Sequence, residues 1–96
     1  MEAPELRREL EQLAREAGLT VRSIRGRPGA EGEPAAASDV CRVGGKVWIV
    51  LSAADSEEER VAVLCRALRE HAAGWLDGRY LAPALRDRLE TRDDST

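Results

Sequence analysis

VCRVGGKVWIVL at residues 40–51, followed by SAADSEEERVAVLCRALREH at residues 52–71, is the stretch that decides the fold. Two runs of apolar and β-branched residues flank Gly44-Gly45, and glycine readily takes the positive φ angles of a two-residue hairpin turn. The second part starts with serine and three glutamates and continues with leucine and valine at helical spacing. The stretch therefore predicts a β-hairpin that leads directly into a helix.

The glycine turn also predicts the register of the two hairpin strands. One surface of the hairpin would carry the pairs Val43 with Lys46, Cys41 with Trp48, and Asp39 with Val50. The other surface would carry the pairs Arg42 with Val47, Val40 with Ile49, and Ser38 with Leu51. Both surfaces are largely apolar, so this sheet needs a cover on each side, either from helices or from a partner chain.

The helix that follows has a clear beginning and a clear apolar face. Asp55 or Ser56 caps it, and residues 56–59 have the form of a capping box with acidic side chains in the first turn. The helix is predicted to run from about Ser56 to His71. Its apolar positions fall within about a third of the circumference and predict the face that packs on the sheet. They are Val61, Leu64, Cys65, Leu68, Ala72 and Trp75.

Two further segments flank the hairpin and its helix. An amphipathic helix is predicted to start after Pro4 and to end at Gly18, and the alternating residues 19–25 predict a first strand. Gly74 and Gly78 interrupt the helical pattern after His71. A short helix with Pro83 in its first turn is then predicted, because apolar residues recur on one side of it. These residues are Leu81, Leu85 and Leu89.

The elements together predict a single α+β domain over residues 1–90. The sheet is expected to be small, mostly antiparallel and of about three strands, with two main helices packed on it and a short C-terminal helix. Residues 26–37 are rich in glycine, proline and alanine without periodicity and predict a mobile loop. Residues 91–96 are expected to form a frayed tail.

Charge and composition narrow the classes of function. The 96 residues carry 15 Lys and Arg against 18 Asp and Glu, a net charge of -3, whereas an electrostatically driven nucleic-acid binder normally shows a basic face. The N-terminus lacks the pattern of a signal peptide, and the apolar run 47–51 is far too short to span a bilayer. We therefore expect a cytoplasmic protein with no nucleic-acid partner and no membrane partner.

The run 45–51 and the helix behind it resemble the core of the ImmA/IrrE-type zinc peptidases. In that family a hairpin ending in Gly-Lys-x-x-Ile-Val-Leu precedes a helix with Leu-Ala-His-Glu-Leu-x-His, whose two histidines bind zinc while the glutamate acts as general base. In the corresponding stretch 64–70, Arg66 replaces the first histidine, Ala67 the glutamate and Glu70 the second histidine. The resemblance implies a degenerate zincin-like scaffold without peptidase chemistry.

A second resemblance covers most of the chain. Short bacterial proteins of no assigned activity share a leading helix, a Leu-Cys-Arg-Val-x-Gly-Lys-type hairpin, a Glu-Glu-Arg-x-x-Val-Leu helix and a Tyr-Leu-x-Pro tail. The matching residues are 40–46, 58–64 and 80–83. This resemblance implies a bacterial α/β protein and says nothing of an activity.

Few residues in the chain suggest chemistry. His71 is the only histidine, and its place at a helix C-terminus favours an interaction with the last carbonyl groups over catalysis. Cys41 and Cys65 are expected to be reduced and buried, because free cysteine usually behaves as a small hydrophobe. A zinc site formed by Cys41, Cys65 and His71 is the alternative. We therefore predict no catalytic residue, no cofactor and no metal ligand.

Trp48 leaves two possibilities open. A large aromatic side chain in such an aromatic-poor chain either anchors the core, which we favour, or fills a pocket on a partner. We expect a non-catalytic protein that acts as a homodimer or through an unidentified protein partner, using the uncovered sheet face or the tail from Trp75 to Leu89. The candidate interaction residues are Trp48, Val50, Trp75, Tyr80 and Leu81. The alternative function is a divergent metal-dependent hydrolase or metal-binding protein.

Overall fold

A computed structural model of the chain describes residues 1–25 and 37–90. It confirms the α+β class, with three strands and four helices in the described part. In chain order they are α1 (Ala3–Glu16), β1 (Thr20–Ile24), β2 (Asp39–Val43), β3 (Lys46–Ser52), α2 (Glu57–His71), α3 (Ala73–Asp77) and α4 (Pro83–Glu90). The predicted loop, apart from residue 37, and the predicted frayed tail lie outside the described residues. None of these helices is long and apolar enough to cross a bilayer.

Helix α1 begins and ends where its sequence predicts, within one or two residues. Pro4 lies in the first turn, where a proline costs no hydrogen bond. Gly18 takes a φ of 90° and its backbone N–H donates to the Arg15 carbonyl, which turns the chain sharply into β1. The predicted apolar stripe faces the core, with Leu10 and Ala14 fully buried.

The three strands form one sheet in the order β1-β3-β2. β2 pairs with β3 in the antiparallel sense, but β1 pairs with β3 in the parallel sense. The prediction of a mostly antiparallel sheet is therefore wrong, and the sheet is mixed. The reason is that β1 and β2 lie at opposite edges of the sheet and run in opposite directions, so the hairpin turn brings β3 back into the centre, where it runs in the same direction as β1.

The hairpin has the predicted register. Gly44 and Gly45 take φ angles of 58° and 82°, which a two-residue turn of this kind needs. The five pairs from Asp39 with Val50 to Val43 with Lys46 are all observed. Ser38 precedes the paired residues, and its Oγ accepts a hydrogen bond of 2.7 Å from the backbone N–H of Ser52.

Helix α2 begins with the predicted capping box. The Ser56 Oγ accepts the backbone N–H of Glu59 at 3.1 Å, and the Glu59 Oε1 accepts the backbone N–H of Ser56 at 3.1 Å. Two otherwise unpaired donors at the helix N-terminus are thereby satisfied. The predicted apolar face is buried from Val61 to Ala72, and Ala67, which lies beside it, is fully buried as well, whereas Trp75 belongs to a separate short helix and is half-buried.

Helices α1 and α2 pack against each other and against the same side of the sheet. Ile49 and Leu51 of β3 meet the apolar faces of both helices there, and Leu81, Leu85 and Leu89 close the far end of this core. The predicted interruption after His71 holds a short helix, α3, which contains Gly74 and ends at Asp77, with Gly78 as its C-cap. Its five residues are too few to give a helical pattern that the sequence alone would reveal.

Candidate functional site

The sheet has one side that the helices do not cover. Side chains alternate along a strand, so Trp48 and Val50, which alternate with Ile49 and Leu51, point away from the core. Within residues 1–25 and 37–90, no helix contributes to that side. We call this surface the open face. Its central residues are Thr20 and Arg22 of β1, Asp39 and Cys41 of β2, and Trp48 and Val50 of β3.

Trp48 lies at the middle of the open face. Its side chain is half-buried and does not belong to the core cluster. The Arg22 guanidinium lies 5.0 Å from the centroid of the Trp48 ring, within the range of a cation–π interaction. The preference for Trp48 as a core residue is therefore wrong. Both surfaces of the hairpin are apolar, and the helices occupy the one that carries Ile49.

Val50 and Cys41 are neighbours of Trp48 on this surface. Val50 is half-buried. Cys41 is exposed and lies directly opposite Trp48 on the adjacent strand. The prediction that both thiols are buried is thus wrong for Cys41 and correct for Cys65, which is only 3 % exposed. Cys41 is exposed because its side chain points away from the helices, as that of Trp48 does.

Charges of opposite sign lie at the two edges of the open face. Asp39 and Arg22 both pair with Val50, from opposite sides, so the three residues form one row across the sheet. The Asp39 Oδ1 accepts hydrogen bonds of 2.8 Å from the backbone N–H of Val40 and from Arg66 Nη2. In the described part of the chain, Arg22 forms no ion pair.

A hydrogen-bond network holds the end of β2 against the end of β3. The Asp55 Oδ2 accepts the backbone N–H of Ser38 at 2.7 Å, while the Ser52 backbone N–H donates to Ser38 Oγ. Hydrogen bonds from the Ser38 hydroxyl and its backbone N–H hold the pKa of the Asp55 carboxyl below its usual value, and Arg60 contributes through its positive charge. The network orients the strands that carry the open face.

The three residues of the alternative zinc site do not come together. Cys41 lies on the open face, whereas Cys65 lies in the core on the other side of the sheet, where burial raises the pKa of its thiol. His71 is half-buried in the last turn of α2, and its Nε2 lies 3.9 Å from Glu70 Oε2. Across residues 1–25 and 37–90, no three His, Cys, Asp or Glu side chains are grouped so that they could hold a metal ion.

Residues 66, 67 and 70, compared above with a zinc-peptidase motif, lie on two different sides of α2. Arg66 and Glu70 are exposed on one side of α2, and Arg66 is paired with Asp39 at the edge of the sheet. Ala67 is fully buried in the core, and of the three residues only Glu70 carries a group that can accept a proton.

A second candidate surface lies around α3 and α4. Trp75 is half-buried, with the Arg79 guanidinium 4.4 Å from its ring centroid, and Tyr80 is 85 % exposed. Leu81 is buried in the core, so it is not accessible to a partner. A cavity of about 280 Å³ lies between the end of α2 and these helices, with lining residues that include Arg69, Leu76, Asp77, Leu81, Arg86 and Glu90.

Sequence reasoning missed Arg22 as a residue of the candidate site. The alternation in β1 does place Arg22 on the side away from Val21, but only the pairing of β1 with β3 brings it over Trp48. Arg22 is the one charged residue of β1, and this is the sequence signal that could have identified it. Comparison of the chain with known protein families, with curated proteins and with solved structures finds no match.

Proposed function

We propose that this chain is a non-catalytic protein that works by protein–protein contact through its open face. The observation that carries the proposal is the position of Trp48 and Val50, both half-buried and both outside the core, on a side of the sheet that no described helix covers. An exposed apolar patch with a polar rim is typical of an interaction site. Trp is also enriched among the residues that dominate binding energy.

The open face has further properties of a docking surface. Its apolar residues lie on strands, which hold side chains in fixed positions more firmly than loops do. β3 is the central strand and is hydrogen-bonded on both edges, so Trp48 and Val50 lie on the best supported part of the sheet. A partner would therefore meet a preformed surface and lose little conformational entropy on binding.

The proposal also covers the cellular location of the protein, the class of its partner and its scaffold. The net charge of -3 and the resemblance to short bacterial proteins support a bacterial cytoplasmic protein whose partner is a protein and not a nucleic acid. The resemblance to ImmA/IrrE-type peptidases supports a degenerate zincin-like scaffold, since a hairpin is followed by a helix whose motif positions are Arg66, Ala67 and Glu70. In this proposal the scaffold has kept a binding surface and carries no peptidase chemistry.

Site-specific photo-crosslinking tests the proposal. Benzoylphenylalanine is introduced in place of Val43, which is 46 % exposed on the open face, or in place of Tyr80, which is 85 % exposed near α4. Illumination of cells that contain either variant then reports which surface is in contact with protein. We expect an adduct of defined mass from position 43, its loss when Trp48→Ala is added, and no such adduct from position 80.

Two results would contradict the proposal. Absence of any adduct from position 43 would show that the open face meets no protein under these conditions. An adduct from position 80 alone would move the interaction to the surface around Trp75 and Tyr80. Circular dichroism of each variant checks that the helices and the sheet are retained.

A further inference from the structure

We propose that the partner of the open face is a second copy of the same chain, packed face to face about a two-fold axis parallel to β3. This inference rests on the proposed function of the open face and names its partner. It is carried by the charge distribution of one row of the sheet, in which Asp39 and Arg22 flank Val50.

In this row of Asp39, Val50 and Arg22, opposite charges of the two copies face each other for only one direction of the two-fold axis. Two strand spacings, about 10 Å, separate Asp39 from Arg22, with β3 midway between them. An axis parallel to β3 exchanges the two edges, so Asp39 of each copy faces Arg22 of the other and Val50 faces Val50. Within this row, an axis across the strands would instead place like charges opposite each other or leave both charges unopposed. The axis parallel to β3 brings like charges together only at Lys46, an exposed residue beside the hairpin turn.

Both charged side chains keep hydrogen-bonding capacity for this contact, with the Asp39 carboxylate already paired to Arg66 of α2 through one oxygen. Both hydrogen bonds to the Asp39 carboxylate end on Oδ1, and within the described chain Oδ2 accepts none. Arg22 is exposed and has only the Trp48 ring as a described contact, so its guanidinium can donate to a carboxylate while it stays over that ring. Sheets that pack face to face lie about 10 Å apart, a gap that the long arginine and the short aspartate span together.

The edge of β2 is less suited to pairing with a second copy. In a two-residue hairpin of this register, the backbone N–H of Val40 points away from β3. The Asp39 carboxylate already accepts that N–H at 2.8 Å and is held in place by Arg66. An occupied donor and a charged side chain are devices that keep an edge strand from adding another strand. Face-to-face contact therefore has the advantage over extension of the sheet at this edge.

The size of the open face sets the expected affinity. Three strands at about 4.8 Å spacing and five paired residues at about 3.3 Å each give a patch of roughly 14 by 16 Å. The area that two such patches bury falls below the roughly 1,200 Å² at which stable interfaces begin. We therefore expect a weak dimer with a Kd of roughly 50–300 µM, so its population should depend on protein concentration.

Sedimentation velocity of the purified full chain tests the inference. Between about 10 µM and 1 mM, a range that brackets the expected Kd, the wild-type chain should show a monomer–dimer equilibrium. Arg22→Asp should raise the Kd at least about tenfold, because two like charges then face each other at both edges of the interface. Asp39→Lys should do the same. Arg8→Asp makes the identical charge change on α1, on the other side of the sheet, and should leave the Kd unchanged.

A mixture of the two charge variants provides the decisive measurement. In an equimolar mixture of Arg22→Asp and Asp39→Lys chains, the two introduced charges face each other at one edge of the mixed dimer, and the unchanged Asp39 and Arg22 face each other at the other edge. A mixed dimer should therefore form with nearly the wild-type Kd. If Asp39→Lys does not fold, Asp39→Asn, which removes only the charge, takes its place in the comparison of single variants. Circular dichroism monitors folding throughout.

The outcomes separate this inference from the proposed function. A wild-type dimer that Arg22→Asp and the mixture leave unaffected would overturn the two-fold arrangement. A wild-type chain that stays monomeric at about 1 mM, well above the Kd expected for such a patch, would overturn the inference. In the latter case an adduct from position 43 to another protein would still support the proposed function, and its absence would reject both.

Discussion

Asp39 Oδ1 lies 2.8 Å from Arg66 Nη2, and this contact joins the edge strand β2 to helix α2. The same oxygen accepts the backbone N–H of Val40 at 2.8 Å. One carboxylate thus satisfies a donor of the sheet edge and attaches that edge to a helix on the opposite side of the sheet from Trp48. Because the Asp39 side chain is 73 % exposed, water competes for both contacts.

We expect Asp39→Ala to lower the free energy of unfolding only slightly, by about 0.2–1 kcal/mol, as is usual for an exposed ion pair. The larger effect should be on solubility, because Val40 then presents an unpaired N–H at an edge strand. Urea titration measures the first effect, and light scattering at rising protein concentration measures the second. Glu9→Ala, an exposed change on α1, should alter neither. Equal scattering from both variants would contradict the idea that Asp39 keeps the edge strand β2 from pairing with another chain.

Ser56→Ala should destabilise the protein by about 1 kcal/mol, because the Glu59 backbone N–H loses its acceptor at the start of α2. Ser56→Asp keeps an oxygen acceptor at the N-cap and places a negative charge near the positive end of the helix dipole. Its free energy of unfolding should therefore stay close to that of the wild type. Urea denaturation of the three proteins makes the comparison. A similar loss in both variants would show that the hydroxyl hydrogen bond is not what stabilises this helix terminus.

The two thiols should react at very different rates. Cys41 is exposed, whereas Cys65 is buried and burial raises the pKa of its thiol, which leaves less of the reactive thiolate. With a chromogenic disulfide reagent, we expect one thiol per chain to react rapidly in the native protein and two after denaturation. Cys41→Ser should abolish the rapid phase and Cys65→Ser should leave it. Two rapid native thiols would place Cys65 outside the core.

Asp55 should contribute to the loss of stability in acid. Its pKa is lowered in the folded protein, chiefly by the Ser38 hydrogen bonds, so the unfolded chain binds this proton more readily than the folded chain does. The stabilisation is therefore present above the unfolded pKa of about 3.9 and is lost as the pH falls through the lower folded pKa.

The measurement is the Tm of wild type and of Asp55→Asn from about pH 2 to pH 7, a range that includes the unfolded pKa. Asp55→Asn should have the lower Tm at pH 7, and the difference should shrink as the pH falls below about 4, since the wild-type carboxyl then becomes neutral. Asp77→Asn, an exposed change in α3, should keep the wild-type pH profile. A difference that is constant over the whole range would assign the effect to lost packing and not to charge.

Local chemistry made the hairpin and the helices predictable. Gly44 and Gly45 define the turn, and every strand pair follows from counting outward from them. The Ser56 and Glu59 side chains mark the start of α2 in the same way. These predictions were correct because each depends on residues that are neighbours in the sequence.

The position of β1 and the location of the open face depend on distant residues. An alternating strand can pair in either direction and at either edge, so nothing in residues 20–24 distinguishes a parallel neighbour of β3 from an antiparallel one. Trp48 and Ile49 are both apolar and point to opposite sides, so the hairpin alone does not show which side the helices cover. The assignment of Trp48 and Cys41 to the core failed for this reason.

The central position of β3 also implies an order of folding. Val43 and Lys46 meet across a two-residue turn, whereas Thr20 meets Trp48 only after a far longer segment of chain has closed. Hairpins form in about 1–10 µs, and pairing between distant residues adds a loss of chain entropy that slows it. The β2–β3 hairpin can therefore serve as the nucleus to which β1 and α1 attach.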